Sequence, residues 1–240
     1  MERLDKILSS QGICSRKEAK SLAMKQSIKI NGTVVRRSDI KIDPDNDIIE
    51  VDGVTVTYRR YVYIMMNKPK GVLSASSDKN AQTVIDLLPE HFRRKDLFPA
   101  GRLDKDTTGL LIITDDGDFA HRMLSPKKHV YKLYNAMLDG ELGDEQIAIL
   151  ESGIDLSDGT RFKPAKVSIP DKKDRTSINI EICEGKYHQV KRMFEFVGLT
   201  VTELCRLRIG GLELDKKLTY GECRYLEDFE LKHIFNGHYD

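Results

Sequence analysis

The sequence contains few cysteines, no tryptophan and no long hydrophobic run. Its four cysteines, Cys14, Cys183, Cys205 and Cys223, form no Cys-x-x-Cys pair, which argues against a disulfide framework or a zinc knuckle and fits a reducing cytoplasm. The six histidines are scattered too, so we expect no metal site. No apolar run approaches the roughly 20 residues of a bilayer span, and no apolar segment follows the charged start. We therefore expect a cytoplasmic protein that does not enter a membrane.

An excess of charge of one sign is also absent, because 39 basic residues face 38 acidic ones. Over the whole chain this balance argues against a nucleic-acid partner. The distribution is uneven, however. Residues 1–41 hold 10 basic and 4 acidic residues, a charge of +6, and the remaining 199 residues hold 29 and 34, a charge of −5. The basic N-terminal segment is therefore the candidate for nucleic-acid binding.

The N-terminal segment has the pattern of two short helices followed by two hairpins. Apolar residues recur at helical spacing within residues 3–11, and residues 15–18 (SRKE) form a capping box for a second helix. Hairpins are predicted for residues 28–35, around Asn-Gly, and for residues 48–56, around Asp-Gly, since both dipeptides suit type I′ turns. We predict that residues 1–60 form a compact domain.

Arg16, Lys17 and Lys20 fall on the exposed side of the second predicted helix. Such a cluster can neutralise phosphates, with affinity supplied by counterion release, although a solvated lysine-rich face is the alternative. The order of helices and hairpins resembles the αL-type RNA-binding module (S4-like) first known from a small-subunit ribosomal protein. This resemblance implies that residues 1–60 bind RNA and that these three side chains contact it.

Residues 61–240 form the second predicted domain. Apolar runs at 61–66 and 110–114 predict buried strands, and isoleucines alternate along 178–182 as in a half-buried strand. Residues 190–197 have the apolar spacing of an amphipathic helix that ends before a glycine.

Three further helices are predicted between these elements. They cover residues 83–89, residues 119–124 with Asp118 as the N-cap, and residues 145–151 before Gly153. Hairpin-like strands with interspersed helices favour an α+β fold over alternating βαβ units. We expect a mixed, mainly antiparallel sheet with flanking helices.

The first of three segments with chemical potential is residues 101–111, GRLDKDTTGLL. It packs four charges between two glycines and leads into an apolar strand. An ionised carboxylate there, Asp104 or Asp106, can act as nucleophile or general base. Nothing in this segment of the sequence distinguishes Asp104 from Asp106. An Asp-x-Asp metal pair and an ordinary charged surface turn are open alternatives.

The other two segments are residues 184–194, EGKYHQVKRMF, and residues 129–134, HVYKLY. In the first, Lys191 and Arg192 project from the N-terminal half of the predicted helix. They could clamp a phosphate, supply a cation to the acidic loop or simply form a solvated face. In the second, a tyrosine can stack on a base, relay a proton or simply belong to the core.

The three segments together resemble the pseudouridine synthases, in the branch that carries an N-terminal αL module. The resemblance rests on GRLD at 101–104, KLY at 132–134 and GKYHQVKR at 185–192. Within that branch DTTG at 106–109 is most similar to the enzymes that act on 16S ribosomal RNA, since the large-subunit relatives more often have Asn at the position of Asp106.

The resemblance implies a catalytic domain that isomerises a specific uridine of 16S ribosomal RNA, of the uridine-516 type, to pseudouridine. The base and sugar both stay bound, so no cofactor is expected. Asp104 would be the essential carboxylate after base flipping, and Lys191 the basic partner that holds it ionised. Tyr134 would stack on the target base and Val190 would pack against it. Arg102 would fill the gap left by the flipped nucleotide.

The implied partner is ribosomal RNA, either free 16S RNA or a small-subunit assembly intermediate, and we expect a monomer. Three alternatives stay open at this point. They are a pseudouridine synthase acting on 23S RNA, a non-catalytic RNA-binding assembly factor, and a metal-dependent phosphoesterase built on Asp104 and Asp106.

Overall fold

The computed structural model describes residues 1–235 and divides them into two compact units. Unit 1 comprises Met1–Tyr61 together with Pro89–Leu97, and unit 2 comprises Val62–Leu88 and the described residues from Phe98 onward. The segment Pro89–Leu97, which we expected in the second domain, therefore packs with the first. No helix in this part of the chain is long and apolar enough to cross a bilayer.

Unit 1 consists of two short helices and small antiparallel sheets. Its elements are β1 (Glu2–Arg3), α1 (Leu4–Ser10), α2 (Arg16–Met24), β2 (Ile28–Ile30), β3 (Thr33–Val34), β4 (Lys41–Ile42), β5 (Ile49–Val51) and β6 (Val54–Thr55). Strand β1 pairs with β4, and the other four strands form a sheet in the order β3-β2-β5-β6. The two helices and this sheet enclose a small core that includes Leu4, Leu8, Ala19 and Ile28.

Local sequence signals account for these elements. The capping box is confirmed, since the Ser15 hydroxyl accepts from the Glu18 N–H at 3.2 Å and the Glu18 carboxylate accepts from the Ser15 N–H at 2.7 Å. Both hairpins are confirmed as well. Asn31 and Gly32 have φ of 50° and 78°, the left-handed pair that a type I′ turn requires.

Unit 2 is built on one large sheet. Its strands are β7 (Tyr63–Lys68), β8 (Phe98–Ala100), β9 (Thr108–Thr114), β10 (Lys132–Leu138), β11 (Ile154–Asp155), β12 (Arg161–Phe162), β13 (Lys166–Ser168), β14 (Ser177–Ile182), β15 (Val201–Ile209), β16 (Leu212–Glu213) and β17 (Cys223–Tyr225). Its helices are α3 (Gly117–Leu124), α4 (Asp144–Ser152), α5 (Gln189–Phe196) and α6 (Asp228–Phe235).

Within the described residues nine of these strands form a single sheet. The order is β13-β14-β10-β15-β9-β7-β17, with β16 beside β15 and β8 beside β9. Every pairing is antiparallel except that of β9 with β15. The fold is therefore α+β with a mixed, mainly antiparallel sheet and flanking helices, as predicted. Strand β9 is buried on both faces, and α3 and α6 pack over it through residues such as Phe119, Met123 and Ile234.

Two local predictions for unit 2 were wrong. Residues 83–89 form turns rather than a helix. The Asp86 N–H donates to the Thr83 carbonyl and the Leu88 N–H to the Ile85 carbonyl, both at 3.2 Å, so these bonds span three residues, and Pro89 follows. The cap of α3 is Asp116, whose carboxylate accepts from the Phe119 N–H at 3.0 Å, and Asp118 lies inside the first turn. The adjacent Thr114 hydroxyl accepts from the Asp116 N–H at 3.1 Å and helps to place the cap.

Candidate active site

The acidic loop lies between β8 and β9, and its end is set by a glycine. Gly109 has φ of 98°, and a Cβ at this position would lie 2.3 Å from the Arg206 carbonyl oxygen. Only glycine therefore lets β9 begin so close to β15. Earlier in the loop, Ser74 and Leu103 exchange two hydrogen bonds of 2.9 and 3.1 Å, and the Thr107 N–H donates to the Asp104 carbonyl at 3.1 Å. The backbone around Asp104 is thus pinned on both sides.

A buried lysine supports the same loop from beneath. The ammonium group of Lys68 donates to the carbonyl oxygens of Pro69, Lys105 and Thr107 at 3.0, 3.3 and 3.0 Å. Its side chain is fully buried, and this desolvation lowers the pKa of Lys68 to about 8, against the opposing effect of the nearby Asp106 and Asp104 charges. Lys68 therefore ties the acidic loop to the end of β7.

Two side chains of a distant segment, Lys191 and His188, meet Asp104 and Asp106 at this loop. The Lys191 ammonium lies 2.6 and 2.7 Å from the two carboxylate oxygens of Asp106 and 3.7 Å from Oδ2 of Asp104. The imidazole Nε2 of His188 lies 3.6 Å from Oδ1 of Asp104. Asp104 thus has a neighbour at each oxygen, while the hydrogen bonds of Lys191 go to Asp106.

This geometry separates the two carboxylates that the sequence pattern left equivalent. Asp106 is 67% exposed, and its hydrogen bond with Lys191 holds the pKa of the Asp106 carboxyl below its usual range. Asp104 is 30% exposed and lines a cavity together with Tyr134 and Val190. A carboxylate that borders a cavity and is not hydrogen-bonded by the neighbouring cation keeps its oxygens available for a substrate.

Tyr134 is held in the cavity wall by a buried arginine. Strands β10 and β15 pair Tyr134 with Arg206, whose guanidinium is nearly fully buried. Its Nε donates to the Leu110 carbonyl at 2.7 Å, and its Nη1 donates to the Tyr134 hydroxyl at 3.4 Å. This donation leaves the hydroxyl proton of Tyr134 free to point elsewhere and fixes the ring at the cavity.

The remaining expected site residues divide between the two units. Val190 is buried in the first turn of α5 and Arg102 is exposed, and both line the cavity with Asp104, Tyr134 and Lys191. The structure therefore brings these five residues together. Arg16, Lys17 and Lys20 belong to unit 1, where all three are exposed on α2 and outside this cavity.

Sequence reasoning missed Lys68, Arg206 and His188. Lys68 stands in the segment NKPKG at 67–71, where a lysine at the end of an apolar strand was the available signal. Arg206 lies within β15 at a position that faces Tyr134, and pairing across strands cannot be deduced from spacing. Among residues 1–235, no group of three or more His, Cys, Asp or Glu side chains is arranged to hold a metal ion.

Comparison with known proteins identifies both parts of the chain. Residues 62–196 match the family described as RNA pseudouridylate synthase, and residues 2–49 match the S4 domain. The RNA pseudouridine synthase YtzG of Bacillus subtilis is 46% identical over 98% of both chains. The ribosomal large subunit pseudouridine synthase B of the same organism is 38% identical over 98% of this chain and 96% of its own.

The ribosomal small subunit pseudouridine synthase A of Escherichia coli is 36% identical over 97% of this chain and 99% of its own. Among solved structures, one described as a crystal structure of pseudouridylate synthase superposes with a TM-score of 0.67 at 35% identity, covering 98% of this chain and 100% of that one. The chain therefore belongs to the pseudouridine synthases that carry an N-terminal S4 domain and is an RNA pseudouridine synthase.

Proposed function

We propose that the protein converts one uridine of 16S ribosomal RNA, of the uridine-516 type, to pseudouridine, with Asp104 as the essential carboxylate. The observation that supports this site is the convergence of Asp104, Tyr134, Val190 and Lys191 on one cavity. The 16S target is favoured by the resemblance of the DTTG motif at 106–109 to enzymes that act on 16S RNA, a motif in which Asp106 accepts both hydrogen bonds of Lys191. The identities of the relatives do not discriminate, because both small-subunit and large-subunit enzymes align over the whole chain.

The reaction breaks the N1–C1′ bond of the uridine, turns the base and joins C5 to C1′, while C5 loses a proton and N1 gains one. Asp104 would attack the base or the sugar, or stabilise positive charge at C1′. The Lys191 ammonium, 3.7 Å from Oδ2 of Asp104, places a positive charge beside the carboxylate that each of these roles uses.

The other residues would bind and orient the uridine. A uridine must leave its stack to reach the cavity, at a cost of about a few kcal/mol. The Tyr134 ring would stack on the flipped base, Val190 would pack against it, and the exposed Arg102 would occupy the gap in the RNA. Arg16, Lys17 and Lys20 would contact phosphates of the same RNA.

The decisive experiment maps pseudouridine in ribosomal RNA from cells that lack this protein, then restores wild type or Asp104→Asn. Loss of one 16S site, recovered by wild type and not by Asp104→Asn, is the expected result. Loss of a 23S site instead would reassign the target to the large subunit. An unchanged map would contradict an rRNA target. Sedimentation velocity and cell fractionation test the monomeric state and the cytoplasmic location, which stay predictions.

A further inference from the structure

We propose that Tyr187 and His188 form a stacking platform for a nucleobase that flanks the uridine in the cavity. The inference rests on the proposed function in one respect, the use of the Asp104 cavity for the target uridine. It adds a binding subsite for a second nucleotide, beside the cavity rather than inside it.

The two rings are stacked and connected to the cavity. Their centroids lie 3.8 Å apart with an interplanar angle of 17°. His188 lines the cavity, and its Nε2 lies 3.6 Å from the Asp104 carboxylate. Tyr187 is 76% exposed, an unusual degree for a large aromatic side chain beside a substrate cavity. The two rings therefore form a short aromatic stack, with His188 beside Asp104 and the exposed Tyr187 ring at its solvent end.

Buried polar groups hold the turn that carries these rings. Gln189 accepts from the Lys186 N–H at 3.0 Å and donates to the Glu184 carboxylate at 2.9 Å, and both side chains are buried. The same Glu184 oxygen accepts from the Lys163 N–H at 2.8 Å. The Lys186 ammonium reaches back to the Arg161 carbonyl. Tyr187 is thus the exposed side chain of a braced turn, and its placement does not depend on its own packing.

His188 has the backbone conformation of a residue held in place by its surroundings. Its φ of 50° is in the left-handed region, which is uncommon for any residue other than glycine. The hydrogen bonds from the Gln189 N–H to the Lys186 carbonyl, at 3.1 Å, and from the Arg192 N–H to the His188 carbonyl, at 2.9 Å, maintain it.

A nucleobase is the occupant that fits this surface. The enzyme acts on RNA, and a flipped uridine leaves a neighbouring base whose stacking partner has gone. An aromatic side chain replaces that partner regardless of base identity, since every base has a π face. Arg102, which would occupy the gap in the RNA, lines the same cavity as His188, so the two side chains would contact neighbouring nucleotides.

The absence of tryptophan from the chain allows a direct test. Tyr187→Trp places a single indole on the platform, and Phe229→Trp places one at another exposed aromatic position, 60% exposed and outside the cavity lining. Both are made in the Asp104→Asn background, so that the RNA is bound without turnover. The probes are unmodified 16S and 23S RNA transcripts, titrated separately.

The expected result is strong quenching of the Tyr187→Trp fluorescence, with at least about a twofold loss of acrylamide accessibility, and little change for Phe229→Trp. Quenching by the 23S transcript alone upholds the platform while contradicting the 16S target. Equal quenching of both indoles would contradict the stacking platform. So would the absence of quenching in Tyr187→Trp when RNA is bound.

Kinetics of otherwise wild-type protein provide a second readout. Tyr187→Ala is expected to raise KM about tenfold, with a much smaller change in kcat, because stacking is used in binding. Tyr187→Phe keeps the ring and is expected to restore KM to within about twofold. An unchanged KM for Tyr187→Ala would contradict the proposal. An equal rise of KM in Tyr187→Phe would contradict it as well, because that variant keeps the ring.

Discussion

The two units of this protein use positive charge in opposite ways. In unit 1, Arg16, Lys17 and Lys20 are exposed along α2. In unit 2, Lys68 and Arg206 are buried and donate to specific carbonyl and hydroxyl oxygens around the cavity. The near-zero charge of the whole chain conceals this contrast.

The difference teaches what each kind of charge can do. An exposed cation is solvated, keeps its freedom and interacts with any phosphate in reach, so its effect depends on salt and carries little positional information. A buried cation loses its hydration and must be matched by acceptors in fixed places. Unit 1 is therefore suited to hold RNA, and the buried charges of unit 2 are suited to hold the acidic loop in one geometry.

The largest expected effect comes from the paired carboxylates of unit 2. Asp104→Asn should lower kcat by about 10³-fold or more, because it removes the charge that borders the cavity. Asp106→Asn should lower kcat only about tenfold, since Asn keeps an oxygen acceptor for Lys191 but loses the charge. Single-turnover pseudouridine formation on unmodified ribosomal RNA measures both. Equal losses for the two variants would contradict the separation of roles.

The exposed charges of unit 1 are tested by a triple substitution, Arg16→Gln, Lys17→Gln and Lys20→Gln. The slope of log affinity against log salt should fall by about 2 to 3, because roughly one counterion is released for each phosphate neutralised. RNA binding at several salt concentrations measures the slope. The control replaces three lysines of unit 2, Lys172, Lys173 and Lys217, which are also exposed and should change the slope less.

A third prediction concerns Lys132, a buried lysine two residues before Tyr134. Desolvation, with a smaller contribution from Arg206, lowers the pKa of Lys132 from 10.5 to about 8. Between pH 8 and 10.5 the unfolded chain keeps this proton and the folded chain releases it, so the free energy of unfolding rises with pH across this window. Below pH 8 Lys132 is protonated in both the folded and the unfolded state, so the folded state bears the full free-energy cost of burying its charge.

Lys132→Met should therefore reduce the increase in the free energy of unfolding between pH 8 and 10.5 by an amount on the order of 1–3 kcal/mol. Urea unfolding followed by circular dichroism at several pH values measures it. Cys223 acts in the other direction, because burial raises its pKa to about 11, but it is present in both proteins and cancels in the difference. Lys172→Met, at an exposed position, should leave the profile unchanged. The same slope for wild type and Lys132→Met would contradict the burial argument.

The smallest expected effect tests whether unit 1 depends on local signals. Ser15→Ala removes the hydroxyl that accepts from the Glu18 N–H and should destabilise the protein by about 1 kcal/mol. Thermal unfolding measures the loss. Ser15→Asp should recover most of it, since aspartate also caps helices well. A loss of RNA binding in Ser15→Ala beyond its loss of stability would contradict a purely structural role.

Prediction from sequence succeeded where the deciding contacts lie within a few residues. The SRKE capping box, the Asn-Gly and Asp-Gly turns and the alternation in β14 each act over a short stretch of chain, and all are present in the structure. Two element predictions failed. Asp116 and not Asp118 caps α3, because spacing does not rank two nearby acidic residues as the cap. Residues 83–89 have the Thr83–Asp86 hydrogen bonds of a helix start but continue only as turns, and Pro89 follows.

The sequence by itself determined the two-part organisation, the α+β class and the motifs that indicate an RNA pseudouridine synthase. Only the tertiary structure gave Asp104 and Asp106 different exposure and different partners, buried Lys68 beneath their loop, and set Arg206 beside Tyr134. It also placed His188 next to Asp104 and left Tyr187 exposed. The physical reason is that pairing of β9 and β10 with β15 joins residues far apart in the chain, and a side chain's burial and partners exist only after that pairing forms.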